Sequence, residues 1–157
     1  MSHLINYTYD EIKIGQKACY SKSVTEKDIQ LFAVISGDFN PVHLDDNYAS
    51  KTIFKERIAH GMLTGAFISA ALALKLPGPG TIYLGQSLRF MIPVKIGDQI
   101  TVNLEVTNKR DKLNLVTLSC TAINQHRKIV IKGTAEVIAP TEKINIPSPA
   151  IPTVTIS

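Results

Sequence analysis

The chain has 157 residues, of which 45% are hydrophobic and 19% charged, with a formal net charge of +4. That length suits one domain able to bury about two-thirds of the surface its unfolded chain would expose, and so sparse a charge fits added burial at a subunit interface, although a well-packed single domain explains it equally. The 17 Lys and Arg are scattered without a basic run, which argues against a nucleic-acid partner, and no segment is long and apolar enough to span a bilayer.

In chain order, residues 1–7 lack a basic stretch followed by an apolar one, so no signal peptide is expected and the chain reads as cytoplasmic. Ala18 to Val24 form a weak strand pattern. Thr25 opens a helix as N-cap, with Glu26 and Asp28 in its first turn, an apolar stripe at Ile29, Phe32 and Ala33, and Gly37 as its stop. A tight loop over Asp38 to His43 follows, then a mixed polar stretch with short helical turns around Asp46 to Lys51. Gly61 to Lys75 carries no charge before Lys75, so it reads as a helix buried on nearly all sides, ended by Pro77-Gly78-Pro79-Gly80.

Alternating patterns then run over residues 82–92, 100–107, 113–123 and 128–138, with hairpin-length connections. They predict an antiparallel sheet. Pro140 onward has four prolines in 18 residues and no period, which reads as an extended tail. The expected organisation is one domain over residues 1–139 and a Pro-rich tail over 140–157, in the α+β class. One helix apolar all round must lie against the sheet, the sheet must curl about it, and a second copy would cover what remains, which predicts a homodimer. Cys19 and Cys120 stand far apart and form neither a redox pair nor a disulfide framework, so free thiols are expected.

Three features bear on chemistry. Asn40-Pro41 is a strong turn signal that lets Asp38 and His43 face the same space, where a carboxylate and an imidazole could hold a water between them. The plain alternative is that Asp38 caps a turn, Asn40 makes an Asx turn and His43 is a surface residue, and spacing leaves both open. His60-Gly61 stands where the apolar helix begins. The first amides of a helix lack internal acceptors, and a glycine lets a ligand oxygen come close, as an oxyanion would need; equally, Gly61 could only ease the helix into a crowded core. Ser69 is a hydroxyl in an otherwise apolar helix, to be satisfied by its own backbone or by a catalytic group. No glycine-rich phosphate loop, nucleophile elbow or His/Cys metal cluster is present, so no cofactor and no metal are expected.

Gly37-Asp38-Phe39-Asn40-Pro41-Val42-His43, then His60-Gly61-Met62, then Tyr83-Leu84-Gly85-Gln86-Ser87-Leu88-Arg89-Phe90 together resemble the MaoC-like hydratases. Within them the chain is most similar to the small (R)-specific enoyl-CoA hydratases, over roughly residues 15–139. The resemblance implies a hot-dog fold, an antiparallel sheet wrapped around a long central helix, in a homodimer with active sites at or near the interface. It implies reversible syn hydration of a trans-2-enoyl-CoA to an (R)-3-hydroxyacyl-CoA, a reaction that can feed polyhydroxyalkanoate synthesis, with an acyl-CoA thioester as partner. By the same resemblance Asp38 and His43 hold the attacking water, Gly61 polarises the thioester carbonyl, Ser69 supports the pair and Asn40 shapes the loop. His60 is expected to meet substrate, Leu72 and Val137 to line the acyl pocket for short chains, and Arg89 and Lys95 are candidates for the CoA phosphates. Two other classes compete: a hot-dog thioesterase, aiming water at the carbonyl carbon, and a non-catalytic acyl-CoA-binding module, which would lack Asp38 or His43.

Overall fold

The computed structural model describes residues 2–157. Strand β1 (His3–Ile5) and strand β2 (Lys17–Ser23) lead to helix α1 (Glu26–Ser36), two short helices α2 (Pro41–Leu44) and α3 (Asp46–Ser50), and helix α4 (Gly61–Leu74). Strands β3 (Ile82–Phe90), β4 (Gln99–Arg110), β5 (Leu115–Ile123), β6 (Ile129–Ile138) and β7 (Asn145–Pro147) complete the chain. α1 forms for the local reasons its sequence offers. The Thr25 hydroxyl accepts from the Asp28 amide, the Asp28 carboxylate accepts from the Thr25 amide, and Gly37 ends the helix at φ 74°, a left-handed position that costs glycine little.

Five strands make one antiparallel sheet in the order β2-β4-β5-β6-β3. Ile100, Val102, Leu104 and Val106 of β4 and Val116, Leu118, Cys120 and Ala122 of β5 point inward and are fully buried. α4 lies across this face against β2, β4 and β5, and the core forms between them. This is the hot-dog arrangement.

α4 is not enclosed by its own chain, in line with the cover expected from a second copy. Leu63, Thr64, Phe67, Ile68, Ala71 and Leu72 face the sheet, whereas Met62, Ala66, Ser69 and Ala73 stay exposed, because five strands cover only one side of the helix. One expectation needs correction: β3 and β4 form no hairpin. β3 pairs with β6 at the sheet edge, and the link between β3 and β4 crosses past the start of α4 instead, where the Ala59 amide donates to the Val94 carbonyl at 2.7 Å. An eight-residue link is of hairpin length, so its length alone gave no sign of the crossing.

The tail turns back on its own chain. β7 pairs with β1 in a separate two-stranded sheet beside the C-terminal end of α4. Buried Asn6 ties the parts together: its amide donates to the carbonyls of Pro79 and Glu142, and its side-chain oxygen accepts from the Ile144 amide.

Candidate active site

The loop after α1 is built from its own polar side chains. Asp38 accepts from the Asn40 amide at 3.2 Å, and Asn40 in turn caps α2 by accepting from the Val42 amide at 3.2 Å. Pro41 at the first position of α2 loses nothing there, since that amide would have no helical partner. The turn carries His43 inward, where it is 8% exposed.

His43 is held by one ring nitrogen. Its Nδ1 lies 2.8 Å from the Ile58 carbonyl, and a carbonyl only accepts, so Nδ1 carries the proton. In the neutral ring Nε2 is left with its lone pair, 3.9 Å from the Asp38 carboxylate. That gap is too long for a direct hydrogen bond and narrow enough for one water to bond both groups. The Asp38 side chain is half exposed, so the space between them opens to solvent.

His60, expected to meet substrate, lies behind His43 in the single chain. It is 2% exposed; Nε2 donates to the Asp38 backbone carbonyl at 2.9 Å, and its ring stacks on His43 with centroids 3.8 Å apart. Phe32 packs on its other flank at 5.0 Å. Burial pushes the His60 imidazole below its ordinary pKa, against the opposing pull of the Asp38 carbonyl, with His43 lowering it further. Nδ1 of His60 is buried with no partner.

As N-cap of α4, His60 makes no side-chain bond to the helix amides, so the first amides remain available at the positive end of a 14-residue helix. Gly61 has a packing reason as well: a Cβ there would lie 2.9 Å from the Phe90 ring. Beside Gly61 a mostly apolar cavity of about 270 Å³ runs between Phe54 and the segment Phe90 to Val94, with the unpartnered hydroxyl of buried Thr64 among its walls.

The remaining expected residues lie elsewhere. Ser69 sits two turns along α4 on the exposed face, in a shallow groove with Phe32, Tyr83 and Gln86, and makes no hydrogen bond to Asp38 or His43 within the chain. Leu72 and Val137, expected to line the acyl pocket, face each other's layers in the interior. Both are packed into the core between helix and sheet at 1% and 0% exposure. Lys95 is paired with Glu56, and Arg89 lies on β3 opposite Lys132, away from the loop.

Asp38, His43 and His60 bring one donor atom each within 4.8 Å of one another, the spacing of a cation site. The ring arrangement suits one poorly: both histidines spend a nitrogen on a backbone carbonyl and stack nearly face to face, so their lone pairs run side by side instead of converging.

Some contributors carried no signal in the sequence. Ile58 acts through a backbone carbonyl, which any residue supplies. Phe32 reads as part of an ordinary helical stripe. Tyr83 and Gln86, three apart on a strand, share the helix-facing side only because a bulge between Tyr83 and Gly85 re-aims the chain. Thr64 gave the same signal as Ser69, a hydroxyl within an apolar helix, and was open to notice.

Residues 10–127 match the model of the MaoC like domain. The chain belongs to the MaoC-like family. An (R)-specific enoyl-CoA hydratase of Rhodospirillum rubrum is 48% identical over 139 residues, covering 87% of this chain and 94% of its own. The solved structure of R-hydratase PhaJ1 from Pseudomonas aeruginosa, unliganded, superposes with a TM-score of 0.95 at 54% identity, over 99% of this MaoC-like chain and 100% of its own. An (R)-hydratase from Aeromonas caviae, described as involved in PHA biosynthesis, does so with a TM-score of 0.79 at 42% identity, over 82% and 98%.

Proposed function

We propose that this MaoC-like chain is a hydro-lyase that adds water reversibly, in the syn sense, to a trans-2-enoyl-CoA and yields an (R)-3-hydroxyacyl-CoA. The observation that carries the reading is the 3.9 Å gap between the Asp38 carboxylate and His43 Nε2, beside the free amides of α4. Both groups accept hydrogen bonds when Asp38 is ionised and His43 is neutral. A water that donates one proton to each has its oxygen lone pair turned outward, toward C3 of the enoyl group. As the C3–O bond forms, one of the pair takes one proton from the water and that proton is delivered to C2 on the same face, while the second proton stays on the new C3 hydroxyl. The Gly61 amide, at the helix end, stabilises the negative charge that builds on the thioester oxygen meanwhile. Asn40 serves by capping α2 and holding His43 in place. The named hydratase relatives support this chemistry over thioester hydrolysis.

We further propose a homodimer. β3 is a nine-residue edge strand with exposed Ile82 and Leu84, and the open face of α4 lies beside it. A second copy would cover both, Ser69 included. The free thiols of Cys19 and Cys120 fit a reducing cytoplasm, and a role in supplying hydroxyacyl precursors for polyhydroxyalkanoate follows the Aeromonas relative. Residues 1–139 with the tail folded back on them are taken as one domain.

The test is crotonyl-CoA turnover. Hydration removes the absorbance of the conjugated enoyl group and frees no thiol, whereas hydrolysis releases CoA. Loss of absorbance with no thiol and an (R) product is expected; thiol release would return the reading to a thioesterase. Light scattering giving the mass of a single chain would defeat the dimer.

A further inference from the structure

His60 lies at the junction of everything the proposed reaction needs, yet it is almost without contact to solvent. Its Nε2–H is bonded to the backbone carbonyl of Asp38, its face covers the ring of His43, and its own backbone leads directly into Gly61. Nothing in the loop holds the Asp38 carbonyl from the other side. The hydrogen bonds inside the loop engage the Asp38 amide and carboxylate, through Ser36 and Asn40. The imidazole of His43, for its part, is tethered at Nδ1 alone, and a ring tethered at one atom still tilts unless a surface stops it.

We propose that His60 is the positioning residue of this site: it clamps the Asp38 backbone with Nε2–H and the His43 ring with its face, and so sets the gap in which water is held. It rests on the hydratase reading for what the gap does, and on geometry alone for the clamp. Two features favour a neutral, fixed ring over a second proton carrier. Its one unbonded nitrogen, Nδ1, is buried with no partner to pass a proton to, and Phe32 closes the opposite flank.

Side-chain amides distinguish this role from simple packing. In His60→Gln the amide nitrogen falls near the place of Nε2 and can still donate to the Asp38 carbonyl. In His60→Asn it falls near Nδ1 and cannot reach. The two variants are alike in polarity and differ in that one bond. With crotonyl-CoA, His60→Asn is expected to lose about 10²-fold in kcat with little change in KM, as misplaced catalytic groups do, and His60→Gln to recover most of that loss. Equal loss in the two variants, or a rise in KM with kcat kept, would overturn the proposal, the latter by making His60 a substrate contact. In substrate-free wild-type protein, nitrogen NMR of the ring is expected to show the neutral tautomer protonated at Nε2. A ring protonated at Nδ1 would defeat the clamp whether or not the enzyme turns over. A wild-type protein with the expected tautomer and no hydration would defeat the hydratase reading and leave the clamp standing.

Discussion

The two ends of α4 are finished in opposite ways. At the C-terminal end nearly every polar group is taken: Lys75 and Leu76 donate to Ala71, Gly78 to Leu72 and Tyr7 to Pro77, and Asn6 bridges the Pro79 carbonyl to the tail. At the N-terminal end the cap residue offers no side-chain bond, the first amides are free, and two buried polar atoms, His60 Nδ1 and Thr64 Oγ1, lack partners. A buried polar group without a partner costs about 1–3 kcal/mol. A chain that satisfies one end of a helix so fully and leaves the other open is keeping the open end for something that arrives later. Unsatisfied polarity, more than apolar packing, separates the working end from the structural one.

Substitutions at the two ends should therefore fail in different currencies. The largest effect is expected from Asp38→Asn, which removes a proton acceptor from the water gap: kcat for crotonyl-CoA should fall by roughly 10²–10⁴ with the melting temperature little changed, and a near-normal rate would remove Asp38 from the pair. Gly61→Ala pushes a methyl against the Phe90 ring and shifts the helix start, so kcat should drop on the order of 10²-fold; denaturant titration of the same variant tells displacement from unfolding. At the closed end, Asn6→Ala leaves the Ile144 amide and two carbonyls unpaired and should lower stability by about 1–3 kcal/mol, with kcat kept. If its rate fell as far as that of Gly61→Ala, the contrast between the ends would be wrong. Smallest of all, Thr64→Val removes a hydroxyl that has no partner and should leave stability unchanged or raise it by up to ~1 kcal/mol.

Acidification offers a further break. Burial lowers the pKa of His60, with Asp38 and His43 as its titratable neighbours. The folded state therefore prefers the neutral ring. Its contribution to stability is complete above the ordinary histidine pKa, near 6.5, and is lost as pH falls below that value toward the folded pKa. Denaturant midpoints measured across that range should fall with acid in the wild type and fall less in His60→Gln, which has no charge to gain.

Much of this was legible in the chain itself. The Thr25 cap, the Gly37 stop and the Asn40-Pro41 turn are local contracts between neighbours, and local chemistry reads directly from residue order. The alternation of Ile100, Val102, Leu104 and Val106 gave the inward face of β4 in the same way. What order alone could not yield involves partners far apart in sequence. The carbonyl of Ile58 fixes the tautomer of His43, and the start of α4 brings His60 against a loop 22 residues earlier. β3 reaches β6, not β4, because a crossing link, held to Ala59, takes the place of a turn. The packing of helix on sheet, which order alone does not give, buries Leu72 and Val137 in the core. Residue order determined which groups have the chemistry to hold a water at the start of an apolar helix. Only tertiary structure decided that His43 borders the gap beside the Asp38 carboxylate while His60 is buried behind it, because two histidines alike in sequence differ only in which backbone carbonyl the fold presents to each.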